Sequence, residues 1–208
     1  MRQPLRRAVR VATFFAAAAG LAACASAVHT PDHVSTILAR ESAAKPSRLQ
    51  NVGVVAIVSH FAPGTHPHDD ALVANGNYHM DALMPAIMAR LPLLLARDGI
   101  HAEAVPSTPG HTDANLRALA RFDDVIEFAP FQASQQKNVA DASLVLDVRV
   151  LNHALQPLWV ARVELRTDAL PAGRRDEIRN WGPAMADDLS GLLLQQLGED
   201  GFVAAPAR

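Results

Sequence analysis

Cysteine is all but missing, with one in 208 residues, which excludes a disulfide framework and any zinc cluster built on several thiolates. Charge of neither sign dominates. The chain has 19 basic and 21 acidic residues, a formal net charge of -2 and a pI near 6.5, so the strongly basic balance of a nucleic-acid binder is absent. Past the N-terminal segment no apolar run approaches the roughly 18 uninterrupted residues that a membrane-spanning helix needs. Several short chemical signatures are missing too: no Gly-x-Ser-x-Gly elbow, no Gly-rich phosphate loop and no His-Glu-x-x-His. What is there is 50% hydrophobic and 19% charged, the make-up of a folded chain and not of a disordered one. Its length suits one ordinary domain or two small ones.

The N-terminus reads as an address. Arg2, Arg6, Arg7 and Arg10 stand without an acid, and the apolar run from Val11 to Ala19 and a stretch of small residues follow. That is the plan of a secretory signal peptide. At its end stands Leu21-Ala22-Ala23-Cys24, which resembles the lipobox of bacterial lipoproteins. The only cysteine of the chain occupies the position where that family is lipidated. The resemblance implies cleavage after residue 23 and a diacylglyceryl thioether on Cys24, which needs a thiolate nucleophile. Two or more acyl chains, at about 0.8 kcal/mol per buried methylene, hold far better than one. Ala25 in place of Asp after the cysteine implies, by the same resemblance, the periplasmic face of the outer membrane. Loss of residues 1 to 23 removes four arginines, leaving 15 basic against 21 acidic groups and a net charge of -6. The lipid, not electrostatic attraction to anionic headgroups, is therefore expected to anchor the chain.

Residues 24–50, rich in Ala and Ser with Pro31 and Pro46, read as a lipidated tether with a helical turn or two around Val34 to Ala43. Ser42-Ala43-Ala44-Lys45 has the spacing of the penicillin-recognising serine enzymes, but neither Ser-Asp-Asn nor Lys-Thr-Gly accompanies it, so it is read as chance. A single domain is expected over 51–208. Val52 to Val58 is a continuous apolar run suited to a strand buried on both faces. From Asp81 to Asp98, helical spacing links Leu83, Ile87, Leu91, Leu94 and Leu95, with Asp81 and Gly99 as caps and Pro92 inside. His101 to Val105 is a strand, Asp113 to Arg121 a second helix and Asp124 to Phe128 another strand. Leu144, Leu146, Val148 and Val150 then alternate with Val145, Asp147, Arg149 and Leu151, and Trp159, Ala161, Val163 and Leu165 with Val160, Arg162, Glu164 and Arg166. They predict an antiparallel pair joined by Asn152 to Pro157. Asp147, Arg149, Arg162, Glu164 and Arg166 fall on its outer face, where they can pair across strands. An amphipathic helix from Pro183 to Leu197 closes the chain. The expectation is an α/β (α+β-like) two-layer sandwich, with a mixed sheet of about five strands and two or three helices.

The densest polar cluster is the stretch His60, His66, His68, Asp69 and Asp70, with His79 following, after a buried strand where α/β proteins bind ligands. Imidazole and carboxylate suit zinc, copper or nickel, and His60, His66, His68, Asp69 and His79 are the candidate ligands for a transition metal. The same residues also fit a solvated Pro/Gly loop with no ligand. Trp159 and Trp181 read as core or subunit-contact residues, Asp187 and Asp188 as favourable charges opening the last helix, and Gln132 to Asn138 as a loop. The element order distantly resembles the small α/β domains of envelope accessory lipoproteins. That implies a non-enzymatic accessory or assembly factor docking on another envelope protein. The alternatives are a periplasmic metal-binding protein using the His60 to Asp70 stretch, and a carrier of lipid or another small ligand between the layers.

Overall fold

Valine and its β-branched relatives lose little by extending, and when they alternate with polar residues one face of the strand has to leave water. The computed structural model shows where those faces go. It describes residues 35–42, 47–56, 67–107, 112–135, 142–166 and 182–204. The chain divides into the units Met1–Asp32 and His33–Arg208, and everything described lies in the second.

The elements are β1 (Ser35–Ser42), β2 (Asn51–Ala56), α1 (Pro67–Arg97), β3 (His101–Val105), α2 (Thr112–Leu119), β4 (Asp124–Gln135), β5 (Ala142–Asn152), β6 (Pro157–Arg166) and α3 (Pro183–Glu199). One mixed sheet of six strands runs in the order β1-β6-β5-β4-β2-β3. β2 pairs in parallel with β3 and β4, and every other pairing is antiparallel. The fold is α/β, as its residue pattern predicts, with one strand more than expected.

That extra strand is β1, and it lies where the sequence suggested helical turns within a tether. It pairs with β6 from Ser35 opposite Leu165 to Ser42 opposite Trp159, with a bulge between Ile37 and Ala39. The bulge puts two residues where one would sit and breaks the period of two. Only Ser35 of the strand is buried, so little apolar alternation remains to be read. Two other elements are longer than expected. α1 starts at Pro67 instead of Asp81 and runs unbroken through Pro85 and Pro92. β4 continues to Gln135, so residues 132–135, expected in a loop, are strand beyond a second bulge between Pro130 and Gln132.

α1 and α3 cover one face of the sheet. Leu83, Ile87, Leu91 and Leu95 of α1 and Leu189, Leu193 and Leu197 of α3 share a core with Val54, Phe128, Leu146, Val148, Val163 and Trp159. The opposite face is covered by α2 only toward the β3 edge, where Ala118 and Leu119 pack on Val55, Val105, Phe122, Val125 and Leu151. Gly53 lies beneath that cluster. A Cβ there would stand 2.8 Å from the Phe122 ring, so this strand position has to be glycine for the ring to seat.

The two ends of the domain differ. At one, which we term the turn end, connections are short and hydrogen-bonded. Gly99, at φ 78, lets Ile100 N donate to Leu95 O at 3.1 Å, a left-handed cap. Gly201, at φ 85, does the same for α3, with Phe202 N donating to Leu197 O at 2.8 Å. Leu49 N donates to Phe202 O at 2.9 Å, tying the β1–β2 crossing to the C-terminal turn. At the other, the entry end, lie the start of β1, the ends of β2, β4 and β6 and the starts of α1 and α3.

Candidate functional site

Antiparallel pairing sets residues directly opposite one another, so charges two apart on neighbouring strands form a ladder. On the sheet face opposite α1 and α3, Glu127 of β4 stands across from Arg149 of β5, and Asp147 of β5 across from Arg162 of β6. Arg162 grips Asp147 with two nitrogens, Nε to Oδ1 at 2.9 Å and Nη2 to Oδ2 at 3.4 Å. Arg149 is shared, 3.4 Å from Glu127 and 3.9 Å from Asp147. Next along, Ser143 Oγ donates to Glu164 at 2.8 Å. The charge pairing expected across the strands is thus present for Asp147, Arg149 and Arg162, whereas Glu164 accepts from a serine hydroxyl.

Two members of this cluster were not legible as such. Phe131 sits at the β4 bulge, where a bulge re-aims side chains. The residue is 48% exposed and its ring lies under the Arg162 guanidinium at 3.5 Å from the centroid, a cation–π contact. Glu127 is the other. Burial raises the pKa of its carboxyl, and Arg149 only partly offsets that. The acids are recessed, with side-chain exposures of 15% for Glu127 and 17% for Asp147, while Arg149 and Arg162 reach 44% and 39%. The face therefore presents guanidinium groups and one aromatic ring, held from behind by carboxylates. Such a set is equipped for recognition: aromatic and arginine side chains dominate the energetics of protein contacts.

The residues singled out from sequence fall elsewhere. Cys24, His60, His66 and Trp181 lie outside the described residues. His68, Asp69, Asp70 and His79 all fall on α1, and not in a loop. At 1.5 Å per residue the helix sets the Cα atoms of residues 68 and 79 about 16 Å apart along its axis. Among the described residues no group of three or more His, Cys, Asp or Glu side chains could hold an ion. Trp159 is core, 1% exposed, with Nε1 donating to Asp200 at 2.7 Å. Asp187 pairs with Arg90 of α1. Asp188 accepts from both Ser35 N and Ser35 Oγ, at 2.9 and 2.7 Å. These acids lock α3 to its neighbours.

No protein-family model matches the chain, and no curated protein matches it. Among solved structures it is similar to the PelC dodecamer from Paraburkholderia phytofirmans and to a methionine-substituted variant of that protein. Each has a TM-score of 0.42 and 14% sequence identity, over 75% of this chain and 96% of theirs.

Proposed function

We propose that this chain is a lipid-anchored bacterial envelope protein, lipidated on Cys24 and held at the periplasmic face of the outer membrane. Its α/β domain acts as a non-enzymatic accessory or assembly factor. The observation that carries the reading is the placement of the only cysteine, directly after Leu21-Ala22-Ala23 and an arginine-led apolar segment. The docking surface in this reading is the β4–β5–β6 face around Phe131, Arg149 and Arg162, which combines an exposed aromatic ring with pre-positioned guanidinium groups.

The reading makes a paired prediction. Cys24→Ser abolishes acyl labelling and leaves the precursor uncleaved or released. Phe131→Ala with Arg149→Ala keeps the anchor but removes the dominant partner recovered by in-cell crosslinking of the lipidated protein. Acyl labelling that persists in Cys24→Ser refutes the anchor. A crosslinking pattern unchanged in the double variant refutes the assignment of the face.

A further inference from the structure

The edge strand β1 contributes little to the core. Of its residues only Ser35 is buried, Ile37 is half-buried and the rest are exposed. Its neighbour β6, by contrast, buries Trp159, Ala161, Val163 and Leu165 to 1% exposure or less. Those four side chains share the core with Leu189, Leu193 and Leu197 of α3, and their strand is paired from Pro157 to Arg166 with β5. β6 is therefore held in place without β1. The ladder between β1 and β6 is also interrupted by the bulge between Ile37 and Ala39, which leaves a short run of pairs on either side.

What fastens β1 is polar. At its start, Ser35 N and Oγ donate to Asp188 of α3. Toward its end, Arg40 donates to Gln196 and lies 3.3 Å from Glu199 and 3.4 Å from Asp200. Ion pairs at such open positions hold weakly and are screened by salt. The seat also tolerates being vacated, because Asp200 keeps the Trp159 Nε1 donor at 2.7 Å and Glu199 keeps Gln195 at 3.2 Å. Few buried apolar contacts, together with hydrogen bonds open to water, mark a segment that opens ahead of the whole fold.

We infer that β1 is a releasable strap: it lifts from β6 as a unit while the other strands and the helices α1 and α3 stay folded. The next firm attachment is Leu49, which is 3% exposed and donates its backbone N–H to Phe202 O. Release therefore frees the span from Ser35 to Leu49, at about 3.3–3.6 Å per residue at most roughly 50 Å of chain. Given the proposed lipidation of Cys24, on which this consequence rests, that length is added between the membrane and the domain. An anchored domain with its strap released reaches farther from the bilayer than the closed form does.

Hydrogen exchange of the full, lipidated chain, read residue by residue by mass spectrometry, tests the release. The β1 amides that pair with β6 should exchange about 100-fold or more faster than those of β5. Urea below the unfolding transition should leave their rate unchanged while it accelerates β5. Raising the salt from about 0.01 M to about 1 M, which shortens the screening length from about 30 Å to about 3 Å, should speed exchange in β1 and not in β5. Arg40→Gln, at an exposed position, should speed β1 alone by about threefold. Exchange of β1 in step with β5, with the same dependence on urea, overturns the release. Exchange of β1 that neither salt nor Arg40→Gln alters overturns the polar fastening, and the proposal with it. An intact mass without the diacylglyceryl group on Cys24 refutes the anchor and the added reach, and leaves the release to stand or fall by the exchange rates.

Discussion

Asp188→Ala is the perturbation from which most can be learned, because one carboxylate oxygen holds the first residue of the sheet. Asp188 Oδ2 accepts from Ser35 N at 2.9 Å and from Ser35 Oγ at 2.7 Å, and Ser35 is 5% exposed. A hydrogen bond to a charged group contributes about 1.5–3 kcal/mol, and a buried N–H left without an acceptor costs about 1–3 kcal/mol. Some of that is recovered when the end of β1 loosens and water reaches Ser35, so a net loss of about 2–3 kcal/mol is expected for Asp188→Ala. At about 2–4 °C per kcal/mol for a domain of this size, Tm falls by roughly 4–12 °C. Ser35→Ala removes only the hydroxyl donor and costs about 1 kcal/mol. The assay is thermal and urea unfolding of the His33–Arg208 unit, joined to limited trypsinolysis, since Arg40 lies within β1 and becomes cleavable only if the strand lifts. If Asp188→Ala melts together with the wild type and Arg40 stays protected, the clamp does not hold the strand and the reasoning fails.

Two further outcomes follow from the interior. Gly53→Ala forces a Cβ to within 2.8 Å of Phe122 Cδ2, where the ring is 2% exposed. Overpacking of this kind costs about 1–3 kcal/mol, and Phe122→Leu in the same chain should return part of it in urea titrations. Burial raises the folded-state pKa of Glu127 above the ordinary glutamate value of 4.5, so its contribution to stability is fully present below that value and is lost as pH rises through the raised folded pKa. Glu127→Gln removes the titration. At neutral pH it should be at least as stable as the wild type, with a flatter dependence on pH above 4.5, and a marked loss of stability at neutral pH would show that the Arg149 pairing outweighs the burial.

Most of the framework was legible because it is written in strict periods. β5 and β6 alternate without a break over the residues that face the helices, β2 is an unbroken apolar run, and the half of α1 from Met80 onward repeats apolar residues at helical spacing. What escaped notice had its period interrupted. In β1 the bulge sets Ile37 and Leu38 side by side, and the following Ala-Arg-Glu suits a helix as well as a strand. The first half of α1 contains Asn75, Gly76 and Asn77, weak helix formers. In β4, Pro130 and the bulge beside it hid the continuation to Gln135. The charged face of β4, β5 and β6 was half legible for the same reason. Asp147, Arg149 and Arg162 lie on regular strands, whereas Phe131 belongs to the bulge. Glu127 had a signal, since it alternates with Ile126 and Phe128, but its partner Arg149 follows only from strand order.

The position of β1 also orders events in time. Its partner residues are Leu165 in β6 and Asp188 in α3, the latter 153 residues away along the chain. A strand that emerges first therefore waits, unpaired, until nearly the whole chain has been made. Contacts of such long sequence separation form slowly and leave strand edges open meanwhile. If Cys24 is processed while the chain is still emerging, the unpaired strand spends that interval beside the membrane, where few other chains can reach its edge. Fastening the chain early and closing the sheet late would then protect the polypeptide during its own assembly.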